Sequence, residues 1–581
     1  MRKIFSKVIA CFMLSVSCVS TACGFQIETH QCQYTQKIVE EKYLKSEATC
    51  QQKAEYFYSC ACGEKGAESF THGVIAAHDY TAQVVSEQYF AGEANCQHGT
   101  AYYLSCTGCG KMYHRTFYDG QSGECSFTQE VPEWKYLKAD PTTTSQAVFY
   151  KSCVCGATGQ ETFLYGDVLK EYTEAEKAYY APTSLTVSLY EPENCIYSFT
   201  YNTQKEPLRP VLQFEKANGE TLEIPAWVEP ATSYEHPSEK VIHYYIVKAE
   251  VALEKNVSYT YRAYDKYVDV GTEYTTLKTA DPLSESFTFT HLSDTQYGAV
   301  EFGDTLKCLQ GNTDFILHSG DVVEYSKFEF QWTEMLHDNF EYISTIPMMA
   351  ISGNHETTYR NGASETYKHF HNKMPKQSSV ELGYFYSFVY GNVKFIMLNT
   401  NELDGTQLKS EQYNWLMGEL MNNNSTWTVV VMHNPIYSAG KYGSDPSKNQ
   451  IALGLRTQLQ GIFAEYGVDM VLQGHDHLIT RTYPINAMGE PQTESWITEN
   501  GVEYSVNPSG VLYMMNGTGG SQVRTPYLVE DGYYHYAEGS NVSSWADFEV
   551  SGNQLKVCVK YYDKATDQVK TYQTWGIKKE N

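Results

Sequence analysis

No stretch of the 581-residue sequence offers the ~20 consecutive apolar residues of a transmembrane helix, which excludes a helical membrane span. Positive charge is also scarce. Lys and Arg number 43 against 69 Asp and Glu, for a formal charge of −26, and this excludes a general nucleic-acid coat because phosphate backbones demand basic surface. Any phosphate handled by this chain must therefore meet a local site. Charged residues make up only 19%, whereas 42% hydrophobic residues and 49 Tyr supply ample surface to bury, so the chain is not wholly disordered. At this length one core does not suffice, and three or four domains are expected.

The first residues read as an export signal. Arg2, Lys3 and Lys7 precede the apolar stretch from Val8 to Val16, and Ser20-Thr21-Ala22 forms a small-x-small cleavage site. Removing residues 1–22 deletes three basic and no acidic groups, leaving 40 basic against 69 acidic ones in a secreted, strongly acidic protein. Cys23 offers an N-terminus for lipidation, although Ser20 stands where lipoprotein signals carry Leu.

Cysteine is plentiful, at 16, and most of it belongs to a repeat. Cys32, Cys50, Cys60 and Cys62 are followed at matching offsets by His78, Cys96, Cys106 and Cys109, and then by Cys125, Thr143, Cys153 and Cys155. Three units of about 46 residues result, spanning 23–176. Each carries Tyr43, Tyr89 or Tyr136 at one place, Ser before its third cysteine slot, and Gly63, Gly110 or Gly156 after its last. His78 fills a slot that is Cys in the other two units, and His replaces Cys freely only as a metal ligand. Thiolates one or two residues apart and followed by Gly chelate Zn²⁺ tetrahedrally. The units thus resemble zinc-ribbon-like repeats and predict structural zinc, with disulfides as the alternative in an oxidising location. Thr143 leaves the third unit with three ligands unless Asp140 or water completes it. Cys195, Cys308 and Cys558 lie outside the repeats with no metal spacing, and buried thiols are expected there.

Residues 180–281 change character. Short alternating runs such as 185–189 and 259–262, divided by Pro, Gly and Asn turns, predict a β-sandwich. The run from Tyr259, followed by Thr275 to Thr279 and Asp281-Pro282, resembles the exit of a fibronectin type III-like domain that serves as a spacer.

From residue 284 onward, short buried strands alternate with helical stretches and predict an α/β layered domain, completed by alternating runs at 545–550, 555–562 and 569–575. At the C-terminal ends of the buried strands stand Asp294, Asp321, Asn354-His355, His433, and His475 with His477. Open α/β sheets build their sites at such ends. Taken singly, a strand-end Asp commonly caps a helix and a lone His is commonly satisfied core. Five strand ends delivering oxygen and nitrogen donors in Ser-Asp-Thr-Gln, Gly-Asp-Val-Val-Glu-Tyr, Gly-Asn-His-Glu, Val-Met-His-Asn and Gly-His-Asp-His are a different matter.

This ordered series resembles the calcineurin-like metallophosphoesterases and, with the β-sandwich before it, is most similar to purple acid phosphatases. The resemblance covers about residues 181–581 and implies a four-layer sandwich. It also implies two metal ions bridged by Asp321, the first with Asp294 and His477, the second with Asn354, His433 and His475. His355 becomes the catalytic histidine. The residue types agree with that assignment. Two cations about 4 Å apart repel, so a shared carboxylate and a shared hydroxide must bridge them. Mostly neutral ligands then leave a positive cavity for phosphate. A metal-bridging hydroxide attacks phosphorus, and His355 protonates the leaving alkoxide. Glu356 either orients that imidazole or lies exposed, and Gly353 allows a tight turn.

Two departures concern the first metal. Gln296 stands where calcineurin-like proteins carry His, and Glu324 stands where purple acid phosphatases carry Tyr, with Tyr325 one residue on. Gln296, Glu324 and Tyr325 are all candidates for its fourth ligand, Gln296 ahead, and Fe, Zn and Mn all remain suitable ions. The sequence thus predicts a multidomain, exported phosphohydrolase acting on a small phosphomonoester, with cysteine-rich β repeats that suit a cell-surface partner. The alternatives are a phosphodiesterase or nucleotidase using the same metal pair, and a surface-binding protein with an idle core.

Overall fold

A computed structural model describes residues 31–580 apart from 95, 97, 216–220, 358–364, 377–383, 528–531 and 540–541. The expected signal segment and Cys23 lie outside the described residues. The chain divides into two compact units, Met1–Glu124 and Cys125–Asn581. Among the described residues no helix is long and apolar enough to cross a membrane.

The first unit contains two antiparallel three-stranded sheets. Leu44–Ser46, Lys53–Ser59 and Lys65–Ile75 form one, and Phe90–Gly92, Thr100–Ser105 and Met112–Asp119 form the other. A single 3₁₀ turn precedes each, at Glu41–Tyr43 and Glu87–Tyr89. The repeated Tyr and Gly have one purpose: Tyr43 Oη donates to the Gly63 carbonyl at 3.1 Å and Tyr89 Oη to that of Gly110 at 2.7 Å. The repeated Ser exchanges backbone hydrogen bonds, Ser59 with Gln36 and Ser105 with Ala82, and its small side chain is buried there. The apolar core is meagre. Among its described residues the buried apolar ones are Tyr43, Tyr89, Ala101 and the thiols of Cys50, Cys60 and Cys106.

The second unit begins with a third small sheet, Leu137–Ala139, Ala147–Ser152 and Thr158–Tyr165. Two antiparallel sheets follow. Thr183–Glu191, Ile196–Thr203, Val241–Ala252 and Trp227–Tyr234 make the first, and a five-stranded sheet centred on Pro210–Glu215 and Ser258–Asp265 packs against it. Their alternating residues meet in the shared core, where the ring of Phe199 lies 5.0 Å from that of Tyr261. Two buried hydroxyls tie this sandwich to the next domain: Ser188 Oγ donates to the Met348 carbonyl and Tyr261 Oη to that of Ser344, both at 2.7 Å.

The remaining chain builds two mixed sheets of eight and seven strands. In the first, Ser286–Leu292, Phe315–His318 and Met348–Ala350 run parallel. In the second, Val393–Leu398, Trp427–Met432 and Met470–Leu472 do the same. These strands are apolar on both faces, as parallel strands covered on both sides must be, and their two-residue period assigns each face to a layer. Phe289, Phe315, Leu317, Val429 and Val431 face the cluster between the sheets. Ile316 and Met348 face a cluster with Phe302 and Leu306 of the helix Ala299–Leu309. Val430 and Met432 face Trp415 and Leu459 of the helices Ser410–Met421 and Gln450–Glu465. Helices, sheet, sheet and helices therefore form four layers. The last strands, Ser544–Ser551, Gln554–Asp563 and Gln568–Lys578, extend the eight-stranded sheet beside Ser286–Leu292.

Candidate metal centre

Parallel strands end at a common rim, and each of the five motifs leaves its strand there. Asp294 follows Ser286–Leu292, Asp321 follows Phe315–His318, and Asn354 follows Met348–Ala350. From the other sheet, His433 follows Trp427–Met432, and His475 and His477 follow Met470–Leu472. Four of these residues sit in the left-handed region: Asp294 at φ 55°, Asp321 at 56°, His475 at 75° and His477 at 54°. Such backbone is costly for residues with a Cβ, about 1–3 kcal/mol each, and persists only where surrounding structure enforces it. Gly353 is required by close approach to Asp321 rather than by a turn, because a Cβ there would lie 2.0 Å from Asp321 Oδ1.

The rim gathers lone pairs. His433 Nδ1 donates to the Ser319 carbonyl at 2.9 Å, which fixes the tautomer and leaves Nε2 as an acceptor. That nitrogen faces Asn354 Oδ1 at 3.0 Å, Asp321 Oδ2 at 3.1 Å and His475 Nδ1 at 3.2 Å. A second convergence lies alongside. His477 Nδ1 donates to the Gln522 carbonyl, and its Nε2, 3.4 Å from Asp294 Oδ1, is buried without a hydrogen-bond partner. Gln296 places its Nε2 3.4 Å from Asp321 Oδ2, and its Oε1 is likewise buried and unpartnered. Facing acceptors repel and orphaned buried ones are costly, so the arrangement demands cations. Protons alone are the other remedy: burial opposes it, but Asp321 holds the His433 imidazole up to about 9. Metal ions replace such protons, and this donor set fits a pair of them.

The carboxylates are prepared to stay ionised. Burial opposes ionisation of Asp294, yet His477 and then His433 hold it well below the ordinary range; Asp321 is lowered against the same opposition by His433 and His355. His475 is kept neutral by burial and by His433, at about 3.

His355 stands beside this group. Its backbone N–H donates to Asp321 Oδ1 at 3.0 Å and its Nδ1 donates to the Glu324 carbonyl at 2.8 Å, leaving Nε2 3.7 Å from Asp321 Oδ2. Burial lowers its basicity, but Asp321 and the Glu324 carbonyl and carboxylate outweigh burial and favour the imidazolium.

Glu356 serves neither of its expected purposes. It is fully buried and receives the backbone N–H groups of Gly353 at 2.6 Å, Asp321 at 2.8 Å, Val322 at 2.9 Å and Val323 at 3.3 Å. Burial and Asp321 push its carboxyl up to about 7 while these donors pull it back. It thus clamps the turn carrying Asp321, a role no local pattern shows because the clamped amides lie more than thirty residues away. Asp476, between the two histidines, is similar: buried, it receives Ser438 Oγ at 2.5 Å and the N–H groups of Tyr442 and Gly443 at 3.2 Å, which fixes the loop bearing Tyr442 against the His475 ring. Arg524 Nη1 donates to the His475 carbonyl at 2.8 Å and brings a partly exposed cation to the rim. The glycine-rich turn after Asn516 packs behind the site, with Thr518 Oγ1 donating to the Asp294 carbonyl at 2.6 Å.

Of the candidates for a fourth ligand to the first ion, Tyr325 packs its ring on Phe328, and Glu324 Oε2 lies 3.2 Å from His355 Nδ1. Gln296 Oε1 and Glu324 Oε2 are both buried without a hydrogen-bond partner, and of the two Gln296 has its amide against Asp321.

The cysteines group differently from their repeat units. Cys32, Cys60 and Cys62 bring their sulfurs within 4.8 Å of one another, but Cys50 of the same unit is not with them. It joins His78, Cys106 and Cys109. In the second unit of the fold Cys125, Cys153 and Cys155 come together, while Asp140 completes nothing there: its oxygens receive Lys266 Nζ at 2.9 Å and Tyr267 Oη at 2.8 Å. Of the three remaining described cysteines only Cys558 is buried; Cys195 and Cys308 are half-buried, contrary to expectation, because both sit at the ends of elements near the surface.

Comparison with known proteins agrees with the geometry. The family model of the calcineurin-like phosphoesterases matches residues 287–478, the span from the first strand to the end of the Gly-His-Asp-His block. Acid phosphatase type 7 of Homo sapiens is 27% identical over 243 residues, 38% of this chain and 51% of that one. A probable inactive purple acid phosphatase 1 of Arabidopsis thaliana is 25% identical over 230 residues, 36% of this chain and 35% of that one. In fold, the purple acid phosphatase PPD1 from yellow lupin (Lupinus luteus) seeds superposes with a TM-score of 0.57 at 18% identity, covering 69% of this chain and 75% of that one. The chain spans about half the length or less of the curated relatives it matches. Residues 287–478 thus form a calcineurin-like phosphoesterase domain, in a fold similar to that of a purple acid phosphatase.

Proposed function

We propose that the domain from residue 284 hydrolyses small phosphomonoesters with a pair of metal ions, Fe, Zn or Mn. The observation that carries this reading is the convergence of mutually facing nitrogen and oxygen donors around Asp321, with Gln296 Oε1 and His477 Nε2 left without protein partners. In it Asp294, Gln296, Asp321 and His477 hold one ion, and Asp321, Asn354, His433 and His475 hold the other. When bound, the ions supply hydroxide near neutral pH and neutralise phosphoryl charge.

The protein's own groups do the rest. Asp321 spans both ligand sets, and Glu356 holds its turn rigid. The carbonyls of Ser319 and Gln522 keep the lone pairs of His433 and His477 directed inward. His355, held by the Glu324 carbonyl, keeps a proton on Nε2 for the leaving alkoxide. Arg524 offers its guanidinium to the entering phosphate. The preceding β-sandwich braces the rim as a fibronectin III-like spacer over 180–281. Export through residues 1–22 and a cell-surface partner for the repeats over 23–176 complete the reading.

The test compares a chromogenic phosphomonoester with the matching diester, with and without chelator, in wild-type protein and in Asp321→Ala. Monoester hydrolysis abolished by chelator and by the substitution supports the reading. Preferential diester cleavage replaces the substrate class, and equal activity in Asp321→Ala removes the bridging role.

A further inference from the structure

The sulfur and imidazole donors of the first unit form a site that the phosphatase reading does not use. Cys50 leaves the loop after Leu44–Ser46, in the first sheet. His78 follows the end of the long strand Lys65–Ile75 of that sheet, and Cys106 and Cys109 occupy the turn between Thr100–Ser105 and Met112–Asp119 of the second. Their donor atoms all lie within 4.8 Å of one another. Cys50 Sγ is 3.6 Å from Cys106 Sγ, and Cys109 Sγ is 3.3 Å from His78 Nδ1.

These spacings discriminate between bonding and chelation. Zn–S bonds of about 2.3 Å and Zn–N bonds of about 2.0 Å at tetrahedral angles put sulfurs about 3.8 Å apart and sulfur and nitrogen about 3.6 Å apart. A disulfide requires about 2.05 Å and has no use for an imidazole. The turn is built as a metal knuckle. Cys106 N–H donates to the Lys111 carbonyl at 2.8 Å, Gly110 N–H donates to the Cys106 carbonyl at 2.9 Å, and the amides of Gly108 and Cys109 point at the Cys106 sulfur.

We propose that Cys50, His78, Cys106 and Cys109 bind one structural zinc ion, and that the ligand set is shared between consecutive repeats, the first lending Cys50 to the second. This arrangement accounts for Thr143. The slot of Cys50 serves the repeat that comes after it, and no further repeat follows the third, so no thiol is needed at its position 143. It also accounts for the grouping of Cys32, Cys60 and Cys62 as three sulfurs without Cys50. The ion ties the two sheets of this unit together where apolar packing is too thin to do so.

The experiment measures zinc per chain in purified full-length wild type, His78→Ala and His78→Cys, with phosphatase activity as the control for the rest of the fold. We expect His78→Ala to lose about one zinc ion per chain and to expose reactive thiols. His78→Cys should keep the ion, since a thiolate fills that slot in the neighbouring repeats. After cobalt substitution its thiolate charge-transfer absorption should exceed that of wild type. Hydrolytic activity should be the same in all three. Equal zinc in wild type and His78→Ala overturns the proposal, as does a Cys50–Cys106 disulfide found by peptide mapping of protein lacking this zinc. Should His78→Ala fail to fold, an unchanged cobalt spectrum in His78→Cys overturns it by itself.

Discussion

The cysteine-rich unit and the candidate metal rim both draw donors from distant segments, yet on the proposed readings they would depend on metal in opposite ways. The rim sits on two large sheets whose buried Phe, Val and Met side chains hold it whether or not an ion is bound, so the fold can impose left-handed backbone on four of its donors. The cysteine-rich unit has hardly any apolar core beyond its own thiols. There the donors are the core, and small domains of that kind gain their stability from metal. The chemistry of the donors follows. Oxygen and nitrogen at the rim would leave bound ions exchangeable and electrophilic, whereas thiolates and one imidazole would enclose the proposed zinc and leave no open position.

The largest effect that would break this contrast is at Asp321. Asp321→Ala should lower kcat/KM for a phosphomonoester by about 10³-fold or more, since several kcal/mol of charge stabilisation are lost, while circular dichroism and melting temperature change little. A collapse of the fold instead would mean that the rim, like the repeats, needs its ions to fold. His355→Ala should cost about 10²-fold with an alkyl phosphate and much less with a nitrophenyl phosphate, because a good leaving group needs no proton. An equal loss on both substrates would contradict a proton-donating role.

Glu356→Ala tests whether the rim is preformed. Losing the acceptor of four backbone amides should lower metal affinity or activity by about 10–100-fold, as loss of outer-shell support commonly does, read by titrating activity against added metal. Arg524→Ala should raise KM by roughly tenfold at little cost in kcat, the size of one charged hydrogen bond to phosphate. The smallest kinetic effect is expected from Cys50→Ala, which should leave kcat/KM unchanged while its zinc content and resistance to proteolysis of residues before 125 both fall.

Much of the rim was legible in the sequence because its pattern is local: a short apolar strand followed within three residues by Asp, Asn or His, five times in order. What was not legible is whatever depends on contacts between motifs. In the sequence Glu356 reads as a helper of its neighbour His355 or as an exposed carboxylate, yet its partners are the amides of Gly353 and of Asp321 to Val323. Gly353 was assigned to a turn, whereas the constraint is the carboxylate of Asp321 pressed against it. The cysteine spacing reads as three repeats, but sequence periodicity cannot tell a ligand used within its own repeat from one passed to the next.

The central claim is that Asp321 joins two ligand sets into a single dinuclear site. Anomalous diffraction from crystals of the metal-loaded protein tests it most directly. The account predicts two peaks about 4 Å apart, one among Asp294, Gln296 and His477, the other among Asn354, His433 and His475, with Asp321 touching both. One peak alone at the rim, or a pair that leaves Asp321 outside bonding distance, would contradict it.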